Sequence, residues 1–268
     1  MSSVSSEIAT NTDGPRQKRW KLNRANGSHK NLGGPARVIL ITFGIFFLSQ
    51  ILLAPLIVGL IHTILNPNTT LDIEKNIPQQ ALFILVAEAS AAWLAITAVR
   101  HRGLSLAAIG LGRRPQVTDL WRAAVGFGVF YFFLIIAGLF INAFWPTLTD
   151  QQQDIGFNNI TNETQNILAF ISLVLIPPVG EEILVRGYLY SGLRMVWRFW
   201  PALLVTSLLF GAAHLEFGSS SALVWGAAVD TFILSIVLVF LRERSGALYA
   251  GMLVHMLNNL IAFGVHFK

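Results

Sequence analysis

The sequence predicts an all-α, polytopic transmembrane helix bundle of about seven to eight spans, and three observations carry that prediction. Apolar residues fill 54% of the 268 positions and charged residues only 12%, about half the charged share of an ordinary soluble domain. The charges are also crowded at the start, with seven Lys/Arg and two Asp/Glu in residues 1–37. What remains is too sparse to cover a soluble surface. Finally, apolar stretches long enough for a hydrocarbon layer of about 30 Å recur along the chain. These features exclude a soluble enzyme, a disordered scaffold and a disulfide-stapled secreted module. There is no Cys, so thiolate and disulfide chemistry are excluded too.

Residues 1–36 are polar, basic and rich in Ser, Asn and Gly, and read as a disordered cytoplasmic tail. They show no apolar run with a small-residue cleavage site. Residues 37–268 read as one membrane-embedded domain, with spans expected at 37–65, 81–99, 122–144, 166–180, 201–217, 222–241 and 246–265. The stretch Ile183–Trp197 is partly apolar but carries Arg186 and Arg194. It is either a continuation of the fourth span or an eighth membrane element.

Loop charge orients the bundle. Loop 66–80 carries Asp72, Glu74 and one Lys75, and loop 145–165 carries Asp150, Asp154 and Glu163 with no Lys or Arg. The alternate connections carry Arg100, Arg102, Arg113, Arg114 and Arg122, then Arg186, Arg194 and Arg198, then Arg242 and Arg244. The positive-inside rule therefore puts the N-terminus in the cytoplasm, and the expected location is the plasma membrane of a prokaryote. The net charge of +5 and pI near 9.9 follow from these loops and the tail, and imply membrane lipid rather than nucleic acid as the surroundings.

A charge at the bilayer centre costs about 2.5–3.5 kcal/mol even on the lenient insertion scale, so polar residues inside spans mark the place to look for chemistry. The densest group is Gly180-Glu181-Glu182-Ile183-Leu184-Val185-Arg186. On a helix Glu182 and Arg186 stand four apart with the acid first, the favourable order for an ion pair. Glu181 is turned about 100° away and is left unpaired. Pro177-Pro178-Val179-Gly180 must kink the span just before it, and at membrane depth such a break needs protein or a hydrated cavity around it. An unpaired carboxylate beside water suits general-base catalysis.

Two further groups follow. Phe210-Gly211-Ala212-Ala213-His214 puts a histidine beside small residues that permit close helix approach. His255-Met256-Leu257-Asn258-Asn259 puts His255 and Asn259 on one helical face, as interhelical hydrogen-bond glue or as donors to an oxyanion. Among the rest, Glu88 lies between small residues and either faces a cavity or bonds to a neighbour. Asp230 and Glu216 read as a helix-pairing and a helix-end residue, and the Phe-rich run 127–140 as lipid-facing or packing surface.

In order and approximate spacing, Glu181-Glu182-x-x-x-Arg186, Phe210-x-x-x-His214 and His255-x-x-x-Asn259 resemble the motifs of the CPBP family. These are the CAAX proteases and bacteriocin-processing (Abi) proteins, which include the type II CAAX prenyl endopeptidases. The motif core spans about 166–264, and Gly103-Leu-Ser-Leu-Ala-Ala-Ile-Gly-Leu-Gly112 is similar to the family's segment upstream of it. The resemblance implies an intramembrane endopeptidase acting on a membrane-associated protein or peptide, with its site opening toward the cytosol. It makes Glu181 the base that activates water and Glu182 with Arg186 its brace. It makes His214 a second holder of that water, and His255 and Asn259 the oxyanion donors.

The family has been described both with and without a metal. A metal-free site with no cofactor is the favoured reading. The alternative is a zinc held by Glu181, His214 and His255. Against zinc, the helical pair of histidines four apart is missing. A catalytically silent bundle, such as an immunity or interaction protein or a proton-coupled transporter, is the rival class. A transporter built from inverted repeats should show matching broken segments in both halves, and the first half has no second Pro-Pro-Gly. The substrate and the oligomeric state are not legible.

Overall fold

The computed structural model describes residues 31–146, 155–217 and 223–267. The tail expected at 1–36 lies outside the described residues except for its last six, and these are not loose: Leu32 is wholly buried in the core. Helix α1 starts immediately after, at Pro35, where the missing N–H costs nothing because the first turn has no intrahelical acceptor.

Seven helical units run through the described residues: α1 Pro35–Leu65, α2 Ile77–His101, α3 Val117–Phe144, α4 Glu163–Val196, α5 Phe199–Ala212, α6 Gly226–Ser245 and α7 Tyr249–His266. The first four are each long and apolar enough to cross a membrane, while α5 is a shorter apolar helix. This is a polytopic helical bundle and an integral membrane protein. The one β element among the described residues is a two-residue antiparallel pair, Glu216 opposite Val224 and Phe217 opposite Leu223, between α5 and α6.

The two possibilities for Ile183–Trp197 are decided by α4, which continues without interruption to Val196. The prolines do not end it. The backbone instead widens into π-helical turns at Ile171–Leu175 and Glu182–Tyr190, on either side of a short α segment holding Pro177 and Pro178. A π-turn takes up the mismatch where proline cannot donate. The same device occurs in α1, where a π-turn at Leu48–Leu53 precedes Pro55. The first half thus carries a distorted span of its own, which its one interior proline, Pro55, did not announce as a break.

Caps set several ends. The Asn76 side chain accepts from the Gln79 N–H at 3.1 Å at the start of α2, and Asn162 does the same for Gln165 at 3.0 Å at the start of α4. The α3 start is a reciprocal capping box between Gln116 and Asp119, with Asp119 also gripped by Arg113. Such caps contribute about 1 kcal/mol each.

Helix α4 is the axis of the bundle. It is packed by α1, α2, α5 and α7, while α6 packs on α3, α5 and α7. Its second half, Glu182–Leu193, is buried throughout, with Tyr188, Leu189, Tyr190 and Leu193 in the main core beside Ala91, Ala95 and Val99 of α2 and Val239 of α6. The outer faces of α1 and α3 are apolar and exposed, with Leu40, Leu56 and Ile64 on one and Phe132, Phe133 and Leu139 on the other. Lipid is the solvent for which such surfaces are suited. The 103–112 loop is clamped to the bundle: Gly110 adopts φ +88, and its carbonyl accepts from the Leu248 N–H at 3.2 Å. Arg242, buried, donates to the Ala108 carbonyl at 3.2 Å and to the Ser191 hydroxyl at 3.1 Å.

Candidate functional site

The π-turn that opens at Glu182 sets the direction of the acidic pair. Glu182 is buried and accepts from Arg186 Nη1 at 2.8 Å through Oε1. Arg186 has no solvent exposure. Its guanidinium carbon lies 4.1 Å from the ring centre of Phe210, so the aromatic face takes part of the charge that water would otherwise solvate. The Nε and Nη2 atoms of Arg186 and Oε2 of Glu182 are buried without a hydrogen-bond partner among the described residues. A pair that is desolvated and incompletely bonded is a poor source of stability, and orphaned polar atoms of this kind mark positions where water fits.

Glu181 occupies different surroundings. It is one-quarter exposed, and its Oε2 is buried with no hydrogen-bond partner. The nearest basic group is Nε2 of His255, 3.7 Å away, beyond hydrogen-bond length but within reach of one bridging shift. The other ring nitrogen of His255, Nδ1, is 3.3 Å from Glu182 Oε1. His255 therefore lies between the two carboxylates. Its helix approaches α4 closely because of Gly251, where a Cβ would stand 3.1 Å from Glu182 Oε2.

His214 sits in the turn that follows α5, with Nδ1 2.9 Å from the Phe210 carbonyl. Phe210 makes edge contacts with both histidine rings, at 4.7 Å to His214 and 6.0 Å to His255. Phe210 is thus the hub that joins Arg186, His214 and His255. Asn259, one turn beyond His255, donates to the carbonyl of Leu173 at 2.9 Å. Its amide has a second N–H to give.

The structure therefore brings Glu181, Glu182, Arg186 and His255 into direct contact and holds His214 beside them through Phe210. Asn259 is engaged with the α4 backbone. Among the described residues no three His, Asp or Glu side chains form a group that could hold a metal ion.

Two residues outside the three motifs join the site. Glu88 of α2 is buried and accepts from Gln50 Nε2 of α1 at 3.2 Å. It presses on Gly180, where a Cβ would come within contact-forbidding distance of its Oε2, and it interacts electrostatically with Glu181. The charge inside a small-residue stretch of α2 was the sequence signal for Glu88. Gln50 gave none. Asp230 of α6 is exposed, while Asn258 meets the Tyr131 hydroxyl at 3.4 Å. The side chain of Glu216 lies outside the described residues.

Residues 163–261 match the family described as type II CAAX prenyl endopeptidase Rce1-like. The chain is also 33% identical over 92 residues to a protein of Escherichia coli described as an uncharacterized 24.3 kDa protein, a stretch that covers 34% of this chain. The chain spans about 40% of the length of that curated relative. No solved structure matches it. The match takes in all of Glu181, Glu182, Arg186, His214, His255 and Asn259 and leaves α1, α2 and α3 outside, so the likeness to the Rce1-like CAAX proteases rests on residues 163–261.

Proposed function

We propose that the protein is an intramembrane endopeptidase that hydrolyses a peptide bond of a membrane-associated protein or peptide, of CAAX type or in leader processing, with water activated by Glu181. The observation that carries this reading is the division of labour between adjacent carboxylates. Glu182 is tied to Arg186 at 2.8 Å, and Glu181 keeps an unbonded oxygen beside His255.

In the proposed step Glu181 takes a proton from water as the water oxygen bonds to the scissile carbonyl carbon. The carbonyl π pair moves onto its oxygen, where His255 and the second N–H of Asn259 donate to the oxyanion. Collapse re-forms the carbonyl and breaks the C–N bond, and the proton on Glu181 passes to the leaving nitrogen with His214 assisting. Removing one oxyanion donor from such a site costs about 10²–10³ in rate. The reaction is proposed to need no catalytic metal, which cleavage by chelator-washed protein holding substoichiometric zinc would support. The Arg-rich 100–122 connection and the charges of α4 and α6 favour a cytoplasmic N-terminus and a site opening on that side.

Comparative analysis of protein N-termini in native membranes tests the reading, wild type against Glu181→Ala. Termini present only with wild type are expected. Identical sets from the two strains would overturn it.

A further inference from the structure

One end of the bundle carries positive charge that its own acids do not offset. The start of α1 and the ends of α2, α4 and α6 meet there. Arg102 Nε donates to the Asn31 carbonyl at 3.1 Å, a Cβ on Gly192 would touch both Val38 and Leu32, and Arg242 joins α6 to the 103–112 loop and to α4. Two acids belong to this end among the described residues, and both are taken. Asp119 pairs with Arg113 and Arg122, and Glu243 with Arg194 and the Tyr190 hydroxyl. Arg100, Arg114, Arg198 and Arg244 are exposed and make no ion pair among the described residues. Exposed Trp121 stands next to Arg122, and exposed Trp200 two residues after Arg198. Tryptophan beside a cation suits the headgroup level of a bilayer.

The sequence repeats that chemistry in Arg16-Gln17-Lys18-Arg19-Trp20-Lys21-Leu22-Asn23-Arg24, outside the described residues. From residue 14 to residue 37 there are seven Lys/Arg and no Asp/Glu. Orienting a bundle takes cations near its spans, but not a tryptophan and a leucine set among five of them; that mixture favours a charged lipid surface. The structure shows where this run is tethered. Leu32 is wholly buried and the Asn31 carbonyl is held by Arg102, so the chain leaves the bundle at its basic end. Arg24 precedes Asn31 by seven residues, and at about 3.5 Å per residue it stays within about 25 Å of that point. The bundle end itself repels the run by like charge, while the headgroup layer around it lies within the same radius. We propose that residues 16–24, together with the exposed arginines of this end, bind anionic phospholipid headgroups of the adjoining leaflet.

The binding is independent of the peptidase reading. Each Lys or Arg near an anionic surface strengthens attachment about five-fold, so replacing Arg16, Lys18, Arg19 and Lys21 by Gln is expected to weaken it about 10²–10³-fold. The chain has no Cys, so Gln17→Cys gives the full-length protein a single site for a nitroxide. Its spin-resonance spectrum is compared in nanodiscs of phosphatidylcholine alone and of phosphatidylcholine mixed with phosphatidylglycerol. The label is expected to be immobilised only with phosphatidylglycerol, to be released as salt rises from about 0.15 M to about 1 M, and to stay mobile in the four-Gln variant. Immobilisation in both lipids would mean that the run docks on the bundle, and mobility in both that it binds neither; each overturns the proposal. Immobilisation by added RNA in neutral nanodiscs, with none by phosphatidylglycerol, would assign the run to nucleic acid and overturn it as well.

Discussion

Asn259 on α7 donates its side-chain N–H to the carbonyl of Leu173 on α4 at 2.9 Å, and that carbonyl is orphaned by two prolines. In an α-helix its partner would be the N–H of residue 177, and in a π-turn that of residue 178. Both positions are proline, so neither can donate. The asparagine repairs at a distance a bond the chain cannot make locally. Asn259→Ala is expected to cost about 1–3 kcal/mol through the unsatisfied carbonyl. Pro177→Ala restores a local donor, so the same Asn259→Ala change should cost measurably less in that background. A double-mutant cycle on unfolding in detergent measures the coupling, and simple additivity would refute it.

The buried pair Glu182–Arg186 should show the asymmetry of desolvated charges. Removing one partner, as in Glu182→Leu or Arg186→Met, leaves the other charge buried and is expected to destabilise by about 3–5 kcal/mol. Removing both together should cost less than either single change. The three variants compared by thermal unfolding decide the point.

Gly180 is where α4 and α2 touch. A Cβ at this position would overlap Glu88 Oε2 and lie 2.8 Å from Glu88 Cβ, so Gly180→Ala is expected to destabilise by about 1–3 kcal/mol. Shortening the neighbour by Glu88→Ala should recover part of that stability. Failure of the second change to relieve the first would mean the helices separate instead.

Gly110→Ala is expected to loosen the 103–112 loop. The residue sits at φ +88, a conformation costing an L side chain about 1–2 kcal/mol. The new methyl would also stand 2.9 Å from Arg242 Nε. Faster amide hydrogen exchange at residues 103–112, with the α4 core still protected, is the expected signature.

At the site itself, Glu181→Gln and His214→Ala are each expected to lower cleavage about 10²–10⁴-fold, the range for loss of a general acid or base, with the fold retained. Cleavage at wild-type rate by either variant would remove that residue from the proposed mechanism.

Much of this was legible before any coordinates. Charge sparsity and apolar run length identify a membrane bundle because lipid enforces both over whole segments. The Glu182–Arg186 pair is legible because four residues along a helix returns to the same face. Gln50 was not, since a neutral amide in an apolar run resembles many interfacial residues until its partner on another helix is known. The continuity of α4 past Pro177-Pro178 was also hidden, because proline signals a lost bond but not whether the backbone breaks or widens to absorb it.

By itself the sequence determined the solvent this chain lives in, the spacing of its polar residues, and which two of them could pair along one helix. These are properties of short stretches, governed by helical period and transfer free energy. Only the tertiary structure decided that His255 lies between Glu181 and Glu182, that Phe210 joins Arg186 to two histidines, and that Glu88 rests on Gly180. Those contacts join residues tens of positions apart, and they depend on how closely the helices approach, which is set by the small residues between them.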